Sequence, residues 1–397
     1  MATGGLRAPA RLRREAFLAF SPCSARDTPA SSTQEIGHGD IGAGKKLQPL
    51  TLRRVPWRKY HRADTRDPTL LSTLLSADLS WEERVVNILH VVRCREMTEY
   101  NPKTKRSLPT RFCEMNIAFF DLDKKSDVKR KPDYIKIPDN HSTLDSSINI
   151  ISIKVAESDV PYPINIYGTV LARDKVDYRC VYLFKRDRGN PQLIKSKDDT
   201  LSLTGPYRAL SFSDTISFEF NLKIKGEDTA DQDFSKGEIE CHGCCGPDSR
   251  PRSRSLLSFL NEVEMKFQCV PYALEASLEV NILNGKSHFL GKITAGDKND
   301  GIILNDSKVA GTETKIGSCG SVLLTRRIVA VPWGRSLVLN FSVPRSNPKS
   351  IRLKQVDKQW TCKMGTYKGQ VKVTWAGVFL RQRLRVWKKI KHTRVLW

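Results

Sequence analysis

The stretch ISFEFNLKIK, residues 216–225, decides the fold. Ile216, Phe218, Phe220, Leu222 and Ile224 alternate with Ser217, Glu219, Asn221, Lys223 and Lys225. Side chains of a strand point to its two faces in turn, so a period of two predicts a β-strand with one apolar and one wet face. The period returns downstream in Leu274, Ala276, Leu278, Val280 and Ile282, then in Leu337, Leu339, Phe341 and Val343, then in Val371, Val373 and Trp375. Shorter candidates lie at 148–155, 164–171, 180–185, 289–294, 302–304 and 322–331. Turn-type residues separate them: Gly189-Asn190-Pro191, Gly205-Pro206, Asn284-Gly285, Asn299-Asp300-Gly301 and Pro332-Trp333-Gly334. About ten short strands with no helical pattern between them predict a mainly β fold, an antiparallel sandwich or open barrel.

Outward from this core the chain changes character. Residues 1–67 are rich in Ala, Arg, Gly, Ser and Pro and are expected to be a disordered basic N-terminus. Residues 68–100 form a helical segment. Ser80 followed by Glu83 is a capping-box pair, and Val85, Ile88, Leu89 and Val92 make one apolar helix face. Arg93 and Arg95 near the end complement the helix dipole. Residues 101–145 read as a polar linker and 146–378 as the β-sandwich domain. Within that domain, residues 226–262 run acidic, Cys-rich, then Arg/Ser-rich, and are expected to be a long loop. Residues 379–397 make a basic, amphipathic tail.

Composition narrows the function. The 397 residues carry 66 Lys+Arg against 43 Asp+Glu, a formal charge of +23, and 15 Phe, 7 Trp and 10 Tyr supply a core. That argues against a disordered chain. No stretch approaches the roughly 18 apolar residues of a membrane-spanning helix, and 10 Cys are too few for a disulfide scaffold. Residues 1–110 hold 19 basic and 11 acidic side chains, residues 111–375 hold 40 and 32, and the last 22 hold seven basic and none acidic. The middle is therefore mildly basic and the ends carry the excess. The tail's Arg381, Arg383, Arg385, Lys388, Lys389, Lys391 and Arg394, spaced with Leu384, Trp387, Ile390 and Val395, form a basic arm suited to RNA, an anionic membrane or an acidic partner. An Arg- and Ser-rich start without a secretory signal points to an intracellular protein of cytoplasm or nucleus, with the plastid as the alternative. The thiols are then reduced and the sequons at Asn140, Asn305 and Asn340 unused.

Chemical motifs are scarce. Gly39, Gly44 and Lys45 imitate a phosphate loop, but Lys46 replaces the magnesium-binding hydroxyl, no strand precedes the segment, and Pro49 blocks the helix that should follow. Cys241, Cys244 and Cys245, with His242, are weak metal candidates, because one Cys-x-x-Cys supplies only half a tetrahedral zinc site even if Cys269 lends a third ligand. No cofactor is implied. The seven histidines are scattered, with no nucleophile elbow beside them. Arg173-Asp174 and Tyr207-Arg208 end apolar strands at turns, where a sandwich gathers binding side chains, and they are the candidate binding surface. The competing reading is that each arginine neutralises a nearby carboxylate, Arg173 with Asp174 or Asp177.

The stretches INIYGTVLARDKVDYRCVYLF (164–184), SKDDTLSLTGPYRAL (196–210) and SFEFNLKIKG (217–226) closely resemble a plant, grass-expanded family, the domain of unknown function 6598. ALEASLEVNIL (273–283), GKITAG (291–296), LNDSKVAG (304–311), RRIVAVPW (326–333) and YKGQVKVTW (367–375) continue the resemblance in order, over about residues 146–378. The resemblance implies a mainly β domain of unassigned activity. Some similar plant chains also carry a ribosome-inactivating module, which depurinates ribosomal RNA with a Glu and an Arg three residues apart. No Glu of this chain has Arg three positions on, so that activity is not carried over. The expectation is a non-enzymatic β-sandwich binding module in a plant stress or defence setting, with a protein partner. The alternative is an RNA- or ribosome-associated protein, with RNA reached through the basic tail.

Overall fold

The computed structural model describes residues 79–128, 140–197, 199–226, 230–242, 250–297, 300–309 and 312–378. The phosphate-loop imitation at 39–45, Cys244, Cys245 and the basic arm from Arg381 lie outside the described residues.

A single α-helix, α1 (Trp81–Glu96), opens the described part. The Ser80 hydroxyl accepts from the Glu83 amide at 3.2 Å, and the Glu83 carboxylate accepts from the Ser80 amide at 2.9 Å, the expected capping box. The helix docks by an unexpected face, however. Val86 and His90 are buried, whereas Val85, Ile88, Leu89 and Val92 stay exposed beside Trp81. The docked face is fastened by polar contacts. The Arg93 guanidinium donates to the carbonyls of Ile117, Ala118 and Phe120, and His90 Nδ1 accepts from the Ile117 amide at 3.2 Å.

Residues 101–145 are not a linker throughout. A hairpin of β1 (Thr98–Asn101) and β2 (Arg106–Pro109) follows the helix. Phe112, Cys113, Ile117 and Leu122 then build a small core of their own, with Met97, Phe120 and Tyr178 packed against it.

Nine strands follow: β3 (Ser147–Ser158), β4 (Ile164–Arg173), β5 (Val181–Arg186), β6 (Gln192–Ile194), β7 (Leu210–Ser211), β8 (Thr215–Ile224), β9 (Gln232–His242), β10 (Arg252–Leu257) and β11 (Asn261–Val270). They form two antiparallel sheets, β10-β11-β3-β7 and β5-β4-β8-β9, with β6 on β4. The inner faces meet in a core that includes Ile150, Ile153, Phe184, Phe218, Phe220 and Met265. The stretch 226–262 is thus not one long loop, since it holds β9, β10 and the start of β11. The polar face of β8 is also not wholly wet. Ser217 and Glu219 are buried under the 111–122 segment, and only Asn221 of the three is exposed.

After Pro271-Tyr272, where Tyr272 is left-handed (φ 47°), a second set begins. It comprises β12 (Ala273–Asn284), β13 (Lys292–Ala295), β14 (Ile302–Asp306), β15 (Ser321–Val322), β16 (Ile328–Pro332), β17 (Leu337–Ser342), β18 (Lys349–Leu353), β19 (Gln359–Met364) and β20 (Tyr367–Gly377). Its sheets are β15-β12-β20-β19, with β16 on β12, and β14-β13-β17-β18. They enclose a separate core that includes Leu278, Ile293, Leu339, Phe341, Met364 and Val371. The fold is mainly β and antiparallel, as expected, but its strands exceed the ten anticipated and surround two cores. Neither sheet pair closes into a barrel. Among the described residues no helix is long and apolar enough to cross a membrane.

The two sandwiches are joined by a small apolar cluster (Ala209, Val270, Ala273, Ile328, Ala330 and Val378) and by buried polar contacts. The Asn149 carboxamide and the main chain of Ala330 exchange hydrogen bonds of 2.8 and 2.9 Å, and the carboxylate of Glu275 accepts from the Ala209 amide.

Candidate functional site

The anticipated binding residues are brought together, but inside the protein. Arg173 and Asp174 are fully buried and Arg208 is 4% exposed, so they offer no accessible surface. They also pair differently from the sequence expectation. Successive residues at a strand end point to opposite faces, so Arg173 and Asp174 look away from each other. Arg173 meets Glu219 of β8 at 2.6 and 3.0 Å and donates to the Tyr178 and Leu122 carbonyls. Asp174 takes Arg208 at 2.6 and 2.9 Å and the Ser211 amide at 2.9 Å. Burial pulls the Arg208 guanidinium down, but Asp174 outweighs it and holds the group above its ordinary value. Burial pushes Asp177 up, which Arg208 partly offsets. Tyr207 alone keeps part of its ring at the surface, its hydroxyl on the Ser126 carbonyl and Lys125 over its face at 4.7 Å. This cluster welds the end of the first sandwich.

A second polar group lies where β8 and β9 meet the 111–122 segment. Glu238 stands opposite Glu219 in the ladder, and its Oε1 is sealed from solvent with no hydrogen-bond partner. Burial, reinforced by Glu219, Glu114 and Glu240 against a contrary Ser217 hydrogen bond, pushes its carboxyl up to about 8. Glu114 is pushed up to about 7, by burial first and then by its hydrogen bond with Glu240.

The cysteines give no support to a metal centre. Cys241 is buried on β9, and burial pushes its thiol up to about 12, the wrong direction for a thiolate ligand. Among the described residues no three His, Cys, Asp or Glu side chains are placed to hold a metal ion. The amide nitrogens of the sequon residues Asn305 and Asn340 donate to the Leu323 and Gly296 carbonyls in a buried setting.

What sequence reasoning missed is a segregation of charge. The first sandwich, residues 147–270, carries 17 basic and 18 acidic side chains; the second, residues 273–377, carries 16 and 7. Averaging over 111–375 concealed the contrast, and division at Tyr272 exposes it. In the first sandwich bases meet acids, as in Arg188–Asp231, Lys223–Asp233 and Lys175–Asp214. In residues 344–377 eight basic side chains face one acid, Asp357. All eight are exposed, and none makes an ion pair among the described residues.

Three of the eight share one surface. Lys363 of β19 lies directly opposite Lys368 of β20, and Lys372 follows on the same face of β20, about 13 Å along the strand. Between and beside them in register are Gln359, Thr361, Gln370 and Asn281, with the exposed Glu279 of β12 directly opposite Lys372. Like charges directly opposite in a ladder destabilise it, so this hairpin end favours an anion over it. Trp360, 45% exposed, stands on the same edge strand but on its opposite face, in register with the buried Val371.

Together the fold and these surfaces define a two-sandwich, antiparallel β protein with a helical cap on its first half and, on its second, a basic face whose lysines make no ion pair among the described residues. Residues 147–374, more than half of the chain and including strands of both sandwiches, match the family model described as Domain of unknown function (DUF6598), and the chain belongs to that family. No curated protein matches it. Among solved structures it is similar to human GIVD cytosolic phospholipase A2 in complex with methyl gamma-linolenyl fluorophosphonate, at 8% identity and a TM-score of 0.22, over 59% of this chain and 33% of that one. It is also similar to the paired C2 domains of Extended-Synaptotagmin 2, at 7% identity and a TM-score of 0.19, over 64% of this chain and 99% of that one. The match thus spans about a third of the phospholipase.

Proposed function

We propose that this chain is a binding module rather than an enzyme, and that the face bearing Lys363, Lys368 and Lys372 takes an RNA strand. The observation that carries the reading is the contrast in pairing: the lysines of this face are exposed and make no ion pair among the described residues, although Glu279 stands in register with Lys372, while bases of the first sandwich such as Arg173 and Arg188 hold carboxylates. A sheet face with lysines for phosphates and amides and hydroxyls for sugar and base edges is suited to a single strand. The resemblance to plant chains that carry a ribosome-inactivating module supports RNA over other polyanions, and supports a stress or defence setting. The test is fluorescence anisotropy of the full chain with single-stranded RNA over a salt series, beside the Lys363→Gln/Lys368→Gln/Lys372→Gln variant. Equal affinity and equal salt dependence in the two would refute the reading.

A second surface supports the expected protein partner, and we take that partner to be another copy of this chain. The exposed stripe of α1 is self-complementary. About a two-fold axis between Ile88 and Leu89, an antiparallel helix pair sets Val85 against Val92 and Ile88 against Leu89, and brings Glu82 level with Arg95. A 16-residue helix is only about 24 Å long, so the contact is small and the dimer weak. Sedimentation equilibrium should show a reversible dimer that Leu89→Glu returns to monomer. A strictly monomeric wild-type chain would remove this reading.

A further inference from the structure

Arg326 differs from the other buried arginines of the protein. It is 3% exposed, on the turn that leads into β16. Its main chain is held by a 3.2 Å hydrogen bond to the Leu304 carbonyl, which also accepts from the amide and hydroxyl of Thr325. The side chain crosses to the first sandwich, where Nη2 donates to the Ile150 carbonyl at 2.7 Å. Its Nε is sealed from solvent with no hydrogen-bond partner. Arg173 and Arg208 each hold a carboxylate, whereas Arg326 makes no ion pair among the described residues.

Arg326 lines a cleft between the two sandwiches with a cavity volume of about 50 Å³. Ser152, Thr200 and Ser202 line it from the first sandwich, and Thr312 and Thr325 from the second. Ser202 Oγ is likewise a buried polar atom without a partner. Two donors without partners, one charged and one hydroxylic, therefore belong to residues that line one cleft. Such groups are rare in folded proteins, because each forfeits its hydration without replacement. The one carboxylate on the cleft, Asp306, is already held by Lys292 at 3.3 Å and by the Lys308 amide at 3.1 Å.

We propose that this cleft binds a small ligand through a phosphate-type oxyanion, with Arg326 as the charged anchor and Ser202 as a hydroxyl donor. A guanidinium offers planar, forked donors that match such an oxyanion, and a site shielded from water strengthens the contact. The hydroxyls of Ser152 and Thr200 supply further donors within the same lining. Burial without a neutralising carboxylate pulls the Arg326 guanidinium down to about 10, the response of a cation whose counter-charge is missing. The site is separate from the lysine face of β19 and β20, because no residue of that face lines the cleft.

The experiment is calorimetric titration of the full chain with inorganic phosphate, with a small phosphomonoester and, as a charge control, with chloride at equal ionic strength. Saturable 1:1 binding of phosphate, absent with chloride, is expected. Tighter binding of the monoester would identify the source as a phosphorylated metabolite, and equal binding would identify free phosphate. Ser202→Ala should weaken binding about tenfold, the worth of one hydrogen bond to a charged group, and Arg326→Gln should abolish it. If Arg326→Gln fails to fold, Ser202→Ala decides by itself. The Lys363→Gln/Lys368→Gln/Lys372→Gln variant should bind phosphate like the wild type. No saturable binding, unchanged affinity in Ser202→Ala, or loss of binding in the lysine variant would each overturn the proposal. The first two outcomes leave RNA binding at the lysine face untouched.

Discussion

Asn149 and Ala330 act as one pair of an added β-bridge between two separate sandwiches. The carboxamide of Asn149 on β3 donates to the Ala330 carbonyl at 2.8 Å and accepts from the Ala330 amide at 2.9 Å. A side chain thus substitutes for a neighbouring strand at a buried junction, satisfying both main-chain groups of Ala330.

Asn149→Ala leaves both of those groups buried and unpaired. The expected loss is about 2–4 kcal/mol of unfolding free energy, from two unsatisfied groups at about 1–2 kcal/mol each. A urea titration measures it. Because the contact links the two cores, the variant should also broaden the transition relative to the wild type.

Removing one partner of the Arg173–Glu219 pair leaves a buried charge uncompensated. Arg173→Met and Glu219→Gln should each cost about 3–5 kcal/mol. Their double-mutant cycle should show coupling above about 1 kcal/mol. Glu219 also accepts from the Phe112 amide at 2.8 Å, so its loss should additionally loosen the segment that follows the β1–β2 hairpin, seen as faster amide exchange there.

The carboxyls of Glu238 and Glu114 give the first sandwich an inverted pH dependence. Their ordinary value of 4.5 is raised to about 8 and about 7 in the folded chain. Between those values the folded chain retains protons that the unfolded chain has released, so unfolding free energy falls as pH rises. Their contribution is complete below 4.5 and lost as pH passes through 7 and 8. Glu238→Gln should flatten this slope and raise stability at the alkaline end, measured by urea midpoints across that range.

Neutralising the lysine face should change salt dependence more distinctively than affinity alone. A contact with a single strand contributes about 0.7 to the slope of log affinity against log salt for each phosphate neutralised. Lys363→Gln/Lys368→Gln/Lys372→Gln should therefore flatten that slope by about 2. Trp360→Ala, on the opposite face of β19, should leave both affinity and slope unchanged.

Much of the architecture was legible because it follows from local periodicity. The alternation of residues 216–225 and 273–283 became β8 and β12, and Ser80 with Glu83 capped α1 as their spacing required. Inside 226–262 the polar composition concealed strands. Gly237 and the charged residues of β9 blur its alternation, and β10 exposes five of its six residues. Val263, Met265, Phe267 and Cys269 did carry the period-two signal of β11, just past that stretch, but were not among the strands read from the sequence.

The site was less legible for a physical reason. Arg173, Asp174 and Arg208 were visible as a cluster of charge at strand ends, but whether such a cluster faces water depends on what else packs there. The 111–122 segment, some fifty residues earlier in the chain, supplies the Leu122 carbonyl to Arg173, and β8 supplies Glu219. The apolar stripe of α1 shows the same effect in reverse: its periodicity predicted a buried face, yet the helix docks through Val86, His90 and Arg93.

What the sequence by itself determined was the local grammar: a mainly β chain, one capped helix, and turns where Gly, Pro and Asn fall. Those features arise from backbone sterics and side-chain alternation within a few residues. Only the tertiary structure decided that the strands enclose two cores, which carboxylates Arg173 and Arg208 meet, and that Arg326 meets none among the described residues. Those outcomes depend on register and packing between segments far apart in the chain. Burial there sets the worth of every charge, which no count along the sequence contains.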